Sequence, residues 1–357
     1  MASRWPEILL LCLIAAASGN WILFLTTGGL QELSEEDIKS YIAEDLRAAT
    51  HFTSIPWLDA MLKQNTLVNV VLLTASSPIS AQTRPMMAFL LEDMTVAIAV
   101  LVRSLQRREL TSAMRLALLL FWLALTANLT SAFVLPLYSL VHLRSLTGDN
   151  TSRITARRLD GVTSTFGALI GFGLPAFMSL DPLQHGAYSQ LRWIAVSTAF
   201  PMCVTVVECF RHAMYYAIPA NGHVTLPKGI RVADARNAFL LLGSGAATAH
   251  VLTRRRFSLG IGEVLVPTQR LDMAAHEKFG KLMAFMQADC ILTNAWMILL
   301  AIIVSTGQYH KKWYMNCLSI GVSTWAIGPG ATFAFVWALR EGDSEGISTS
   351  VTKSTAR

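Results

Sequence analysis

The sequence predicts an all-α polytopic membrane helix bundle with about eight transmembrane helices and an amphipathic segment after the first helix. Two features of the composition indicate this class: 53% of the 357 residues are hydrophobic and only 15% are charged, and the mean hydropathy is +0.45. A soluble domain carries roughly 25% charged residues, so this chain has too few charges to cover a water-facing surface of its size. The third observation is a series of apolar stretches of nearly the roughly 20 residues that a helix needs to cross a bilayer.

Eight stretches approach that length and are predicted as spans. They lie at 8–27, 85–103, 116–138, 161–180, 192–210, 236–253, 283–305 and 317–339. The third stretch is the most uniformly apolar, and the sixth is the weakest because it is short and rich in glycine and alanine. Together they predict a single transmembrane domain over residues 1–340 and a short polar tail over 341–357.

The first stretch allows two interpretations. Arg4 precedes an apolar run that ends in small residues, as in a secretory signal peptide. The run resumes through 21–25, however, and that length favours a transmembrane span. The longest segment between spans follows at 28–84. Its acidic portion SEEDIKSYIAEDL predicts an amphipathic helix, and its apolar piece 66–74 is too short to cross, so we expect a surface segment or a lid.

Composition also limits the partners of the chain. The basic residues form short clusters beside apolar stretches, at 103–108 and 254–256, as is usual at the flanks of membrane helices. No basic face alternates with stacking aromatic residues, so we expect no nucleic-acid partner. The five cysteines lack metal-ligand spacing, and neither a metal site nor a disulfide framework is expected. The sequon at Asn150 predicts glycosylation if its loop is lumenal.

Glu92 and Asp93 are the most informative residues, because they interrupt the otherwise uncharged run 86–102. An acid at the centre of a membrane helix costs on the order of 2.5–3.5 kcal/mol on insertion scales. Such acids are rare and usually face a cavity or a partner inside the protein. The alternatives are a shifted membrane boundary or pairing with a basic residue of another helix. Glu92 lies one turn before Thr95 and is therefore the better candidate to face a cavity.

Asp289 is a further acid within a predicted span. Thr293 and Trp296 follow four and seven residues later, so the three side chains share one helix face. The start of this helix is polar, and a position near the headgroups is the alternative. Glu208 is a weaker candidate, because Arg211 follows three residues later and an ion pair between the two is the favoured explanation.

Prolines and glycines predict breaks or close approaches within the spans. The Gly-Pro-Gly segment at 328–330 breaks or kinks the last span, and the freed backbone groups must face protein or a cavity. Pro201 likewise frees a carbonyl group in the fifth span. Gly167 and Gly171 form a small-xxx-small face, which predicts close helix packing.

Buried carboxylic acids and aromatic rings without a metal site suit an acid-initiated cyclisation. In a medium of low dielectric a carboxylic acid stays protonated, and it can donate its proton to an epoxide oxygen or an alkene. The resulting carbocation needs a site without water. Faces of Trp and Tyr stabilise cations by roughly 0.5–2 kcal/mol each. The candidate rings are those of Trp122, Tyr138, Trp296, Trp325 and Trp337.

The layout resembles the fungal integral-membrane terpene cyclases of meroterpenoid pathways, and more narrowly the eight-span type of ascochlorin/ascofuranone, macrophorin and indole-diterpene pathways. The resemblance rests on chain length, the eight predicted spans, the acidic segment after the first span, the pair Glu92-Asp93 and a last span ending in GPGATFAFVWALRE. It implies cyclisation of a lipophilic prenylated substrate without metal or cofactor, often after epoxidation by a separate monooxygenase. It also implies residence in the endoplasmic reticulum membrane and a role in secondary metabolism. Under this resemblance Glu92 or Asp93 is the proton donor, and Asp289 is its partner or the final base.

A proton-coupled transporter of a small lipophilic molecule is the alternative function. The same acids could bind protons there, and broken helices occur in carriers as well. Paired broken helices in matching halves of the chain would favour a transporter, and the sequence shows none. A receptor or assembly protein, in which acids and glycines only pack helices, is a third class.

Overall fold

A computed structural model gives the fold and describes residues 5–28, 55–74, 80–108, 110–147, 159–180, 187–217, 235–257, 277–308 and 313–354. Over these residues the regular structure is entirely helical, which confirms the predicted all-α class. The acidic portion of the segment after the first helix and the sequon at Asn150 lie outside the described residues.

The helices are numbered in chain order. They are α1 (Trp5–Gly28), α2 (Pro56–Leu73), α3 (Ser80–Gln106), α4 (Ser112–Leu129), α5 (Ser131–Thr147), α6 (Leu159–Ala168), α7 (Leu174–Ser179), α8 (Ala187–Thr198), α9 (Phe200–Ala217), α10 (Ala235–Phe257), α11 (Glu277–Gln308), α12 (Trp313–Ile327) and α13 (Pro329–Ser354). A π-helical turn, Leu169–Gly173, joins α6 to α7.

The described helices include several that are suited to a membrane by length and composition. Four of them could each cross a bilayer: Thr83–Gln106, Ser112–Leu129, Val162–Ser179 and Ala284–Thr306. The bent pair α8–α9 is a fifth candidate span. The chain is therefore an integral membrane protein with four or five candidate spans among its described residues, and the number of eight spans stays a prediction.

Three of the predicted spans contain a break. The pair α8–α9 bends by 66° just before Pro201, as that proline predicts. The last predicted span is broken at Gly328, whose φ is +93°, and α13 continues helically through the predicted polar tail to its end at Ser354. The prediction of one uninterrupted span at 116–138 was wrong. Thr130, with φ +78°, separates α4 from α5 there, because a carboxylate from another helix satisfies the first amides of α5.

Helix α3 occupies the centre of the bundle, and every side chain from 92 to 106 is buried. It runs parallel to α13. Asp93 contacts Gly330, and Arg103, ten residues later in α3, contacts Glu341, eleven residues later in α13. This register places the acid pair of α3 next to the broken start of α13.

Helix α10 packs antiparallel to α13. Gly243 lies against Phe335, and His250 lies against Gly328. A Cβ on Gly243 would approach the Phe335 ring to 3.0 Å, so the small residues of α10 permit close contact. The same close contact brings the His250 side chain to the broken start of α13.

Helix α2 contains most of the apolar piece 66–74, which is too short to cross a membrane. Its side chains from 70 to 73 are buried in the core, and Asn69 donates a hydrogen bond to Thr198 of α8 at 3.1 Å. This piece thus packs within the helix bundle, and its role as a lid stays a prediction.

Gly171 in the π-helical turn confirms the predicted close packing, since a Cβ there would lie 2.8 Å from the Val204 Cα. A Cβ on Gly167 would make only ordinary van der Waals contact, 3.7 Å from the Glu208 carboxylate. Gly171→Ala is expected to lower the free energy of unfolding by about 1–3 kcal/mol, because two backbones must separate. Thermal denaturation of the detergent-solubilised protein measures this loss.

The matched control is Gly245→Ala in α10, where no atom lies within 4 Å of an added Cβ. This variant should denature at the wild-type temperature or slightly above it, because alanine favours helix. Equal denaturation temperatures for both variants would contradict the close packing at Gly171.

Candidate active site

Glu92 lies near the middle of α3, and its side chain is 96% removed from solvent. Its Oε1 atom lies 3.4 Å from Nδ1 of His250 in α10. Neither carboxyl oxygen of Glu92 has a hydrogen-bond partner, and Nδ1 of His250 has none either. The acid thus lies beside a basic residue of another helix, which is the second alternative that the sequence left open, and its depth in the membrane stays a prediction.

The position of the His250 ring depends on Gly328 and Phe89. A Cβ on Gly328 would lie 2.5 Å from Nδ1, and the backbone there has φ +93°, so glycine is required for two reasons. On its other side the ring contacts that of Phe89, with 4.8 Å between centroids. Both contacts hold the imidazole against Glu92.

The sequence analysis did not single out His250, which lies near the end of the predicted span 236–253. A signal was nevertheless present. Gly243, Ala246 and His250 recur at helical spacing along α10 and all three are buried, so the small-residue face that packs against α13 carries the histidine.

Asp93 serves the broken start of α13. Its Oδ1 accepts a hydrogen bond from the backbone N–H of Gly330 at 2.7 Å. Gly330 is the second residue of α13, and its amide is one of those that a helix start leaves without a partner. Asp93 therefore acts as a helix cap that is supplied by another helix, and Gly330 lies too close for a side chain.

Asp289 has the same function at the second break. Its Oδ1 accepts from the backbone N–H of Ala132, the second residue of α5, at 3.0 Å. Ser131 lies 3.3 Å from both carboxyl oxygens and 2.9 Å from the hydroxyl of Thr293. Asp289 thus faces the protein interior, and its depth in the membrane stays a prediction. The buried Cys290 lies within electrostatic range of both aspartates.

Two substitutions of Asp93 distinguish its role as a helix cap from a role in the reaction: Asp93→Asn and Asp93→Ala. The asparagine Oδ1 can still accept from Gly330, so the amide variant should keep the wild-type denaturation temperature. The alanine variant leaves that buried N–H without a partner, and we expect a loss of about 1–3 kcal/mol in the free energy of unfolding. Thermal denaturation in detergent compares the two, and equal instability would contradict the capping role.

Glu208 does not belong to this group. Its Oε2 binds Nε of Arg211 at 2.7 Å, and Gln106 at the end of α3 donates to Oε1 at 3.3 Å. The ion pair that the sequence favoured is confirmed, and it occupies the carboxylate.

Three of the aromatic candidates, Trp122, Tyr138 and Trp296, lie in one packed group. Trp296 donates its indole N–H to Ser139 at 2.9 Å, and the Tyr138 hydroxyl is hydrogen-bonded to Ser104. Trp122 packs edge-on against Tyr138 at 5.3 Å. The cavity that Trp296 and Tyr138 line has a volume of about 10 Å³, room for about one water molecule.

A row of rings leads along α13 from the broken helix start. Phe333 contacts Trp296 at 5.8 Å and Trp337 at 6.1 Å between centroids. Trp325, in contrast, is 55% exposed on the outer face of α12. The structure therefore does not bring Trp325 to the acids. The sequence could not predict this, because α12 has apolar residues on several faces and its pattern does not indicate the inner face.

An ion cluster closes the far end of α3 and α13. Glu341 binds Arg103 at 2.9 Å and Arg107 at 2.8 Å, and it accepts from the Trp337 indole N–H at 3.1 Å. The Arg340 guanidinium stacks 4.4 Å from the Trp337 ring centroid. Arg103 and Arg107 lie at the end of a candidate span, as predicted, and both also pair with a buried carboxylate.

The described part of the chain brings no three histidine, cysteine, aspartate or glutamate side chains together as metal ligands would be. The site is therefore described by one acid without hydrogen bonds, Glu92, next to His250. The two aspartates, Asp93 and Asp289, each cap the start of a broken helix.

Comparison with known proteins agrees with the resemblance inferred from the sequence. A family model described as "CtvD domain" matches residues 6–342. The terpene cyclase rstn5 of Aspergillus nomiae is 27% identical over 94% of this chain and 93% of its own. The terpene cyclase resF of Aspergillus sclerotiorum is 26% identical over 92% of each chain. A terpene cyclase of Pyrenophora dematioidea is 24% identical over 61% of this chain and 63% of its own.

No solved structure matches the chain significantly. The family match nevertheless spans the chain from α1 into α13 and includes all three helix breaks and all three acids. The chain therefore belongs to the CtvD family of fungal terpene cyclases and is an enzyme.

Proposed function

We propose that the enzyme protonates an epoxide or alkene of a prenylated substrate and directs its carbocation cyclisation without a metal ion, with Glu92 as the proton donor. One observation carries this proposal. Glu92 is buried and neither of its oxygens is engaged in a hydrogen bond, whereas Asp93 and Asp289 each bind a backbone amide. A proton donor must have its O–H available to the substrate, and among the three acids Glu92 meets that condition.

The reaction starts when Glu92 gives its proton to the epoxide oxygen and the bond between that oxygen and the more substituted carbon breaks. A hydroxyl group and a carbocation result. The π electrons of a neighbouring alkene, or an internal hydroxyl oxygen, attack the cation and close the ring. The cyclised cation then loses one proton, so the overall change is an isomerisation.

The surroundings of Glu92 support this chemistry. Helix α3 is buried along its second half, so water that would quench a cation has little access. The rings of Phe333 and Trp337 follow along α13, and that of Trp296 in α11 contacts Phe333. Aromatic faces stabilise cations by roughly 0.5–2 kcal/mol each. The 10 Å³ cavity beside Trp296 is far smaller than a prenyl chain, so this cavity in its present form does not accommodate the substrate.

The cellular setting is part of the same proposal. We place the enzyme in the endoplasmic reticulum membrane with eight spans, a glycan on Asn150 and a single transmembrane domain over 1–340. Its substrate is a meroterpenoid precursor, which a separate monooxygenase epoxidises, in secondary metabolism. The names of its relatives support the terpenoid class of the substrate.

Yeast microsomes that contain the full-length chain test the proposed function. They are supplied with an epoxy-farnesyl phenol or with the unepoxidised compound, and microsomes without the protein are the control. We expect a cyclised isomer of unchanged mass from at least one probe. Uptake of the probe into sealed vesicles without any isomer would favour the transporter and contradict the cyclase.

A further inference from the structure

The cyclisation needs a base as well as an acid, because the ring-closed cation must release a proton. Asp289 was the sequence-based candidate for that base. Its Oδ1 holds the Ala132 amide, and Ser131 lies within 3.3 Å of both oxygens. The Asp93 carboxylate holds Gly330 in the same manner. The carboxylates of both aspartates are thus engaged in hydrogen bonds with backbone amides at helix starts.

His250 offers what the aspartates lack. Its Nδ1 is buried, has no hydrogen-bond partner and lies 3.4 Å from Oε1 of Glu92. The ring is held between Phe89 and Gly328, so this nitrogen keeps its direction. A fixed imidazole nitrogen with a free lone pair is a common general base in enzymes.

Resting on the proposed function, we propose that His250 is the base that removes the last proton of the cyclisation and returns it to Glu92. The proton leaves the cyclised cation for Nδ1, and the neutral product forms. The imidazolium then passes the proton to the Glu92 carboxylate, which regenerates the acid for the next turnover.

The charge balance favours this pairing. When Glu92 has donated its proton, the negative carboxylate faces the cationic substrate. After deprotonation the same carboxylate faces an imidazolium at 3.4 Å. The net charge of the buried site is unchanged at each step, which matters because an uncompensated charge in a low dielectric is costly.

The test compares His250→Ala, His250→Gln and wild type in the microsome assay. Glutamine keeps most of the size and hydrogen-bonding capacity of histidine, but its amide group cannot accept a proton at neutral pH. We expect both variants to lower kcat by about 100-fold with little change in KM. Added imidazole should restore part of the turnover of His250→Ala alone, because it can enter the space left by the ring.

Gly328→Ala is the second variant, since its Cβ would lie 2.5 Å from Nδ1 and displace the ring from Glu92. It should lose turnover as His250→Gln does and gain nothing from imidazole. Wild-type kcat in His250→Ala, or full activity in His250→Gln, contradicts the role of His250 as the base and leaves the proposed function standing. Wild-type microsomes without any cyclised product overturn the proposed function itself.

Discussion

Glu92→Gln is expected to slow formation of cyclised product at least about 100-fold, the usual contribution of a general acid. Glutamine matches glutamic acid in size, so the change removes the transferable proton and little else. The Glu92 oxygens have no hydrogen-bond partner, so the substitution breaks no hydrogen bond, and the amount of folded protein should remain at the wild-type level. Product formation per amount of protein in microsomes measures the effect.

Asp59→Asn provides the matched control for this experiment. It makes the same acid-to-amide change at a buried acid in α2, outside the candidate site. Its turnover should remain close to that of the wild type. A Glu92→Gln enzyme that keeps turnover within a few-fold of wild type would rule out Glu92 as the proton donor and direct attention to Asp93.

Glu341→Gln is expected to cost about 3–5 kcal/mol in the free energy of unfolding, the largest stability effect in the described part of the chain. The carboxylate binds Arg103 at 2.9 Å and Arg107 at 2.8 Å, and all three side chains are at least 93% buried. Glutamine can still accept from Trp337, but both guanidinium groups lose their negative partner. Thermal or denaturant unfolding in detergent measures the loss.

A triple variant tests whether the loss comes from uncompensated charge. Arg103→Met, Arg107→Met and Glu341→Leu together replace these buried charges with apolar groups of similar size. Such complete replacements are often nearly neutral, so the triple variant should be more stable than Glu341→Gln. Wild-type stability of Glu341→Gln would show that the ion pairs contribute little to the fold.

Local patterns in the sequence predicted a good part of the fold. Apolar length predicted the central helix α3, and its acid pair was recognised because charge is costly in a membrane. The break at Gly328 and the close packing at Gly171 also followed from residue type, because backbone freedom and small size are properties of glycine itself. Each of these features can be recognised from residue types that are neighbours in the chain.

Features that depend on distant residues could not be predicted in this way. The pair Arg103–Glu341 joins residues 238 positions apart, and the Glu92–His250 contact joins α3 to α10. The break at Thr130 has no proline or glycine to mark it, and it exists because Asp289 replaces the missing hydrogen bond. Which acid is free and which caps a helix is thus decided by tertiary packing.

The two capped helix starts also determine when the enzyme can mature during synthesis. Asp289 follows Ala132 by 157 residues, and Gly330 follows Asp93 by 237. When α5 leaves the ribosome, the carboxylate that it needs has not yet been made, and an unsatisfied amide is costly in lipid. The α5 start is therefore expected to lack this hydrogen bond until α11 has been synthesised. A product that stops before α11 leaves the α5 start uncapped and becomes a target for quality-control proteolysis.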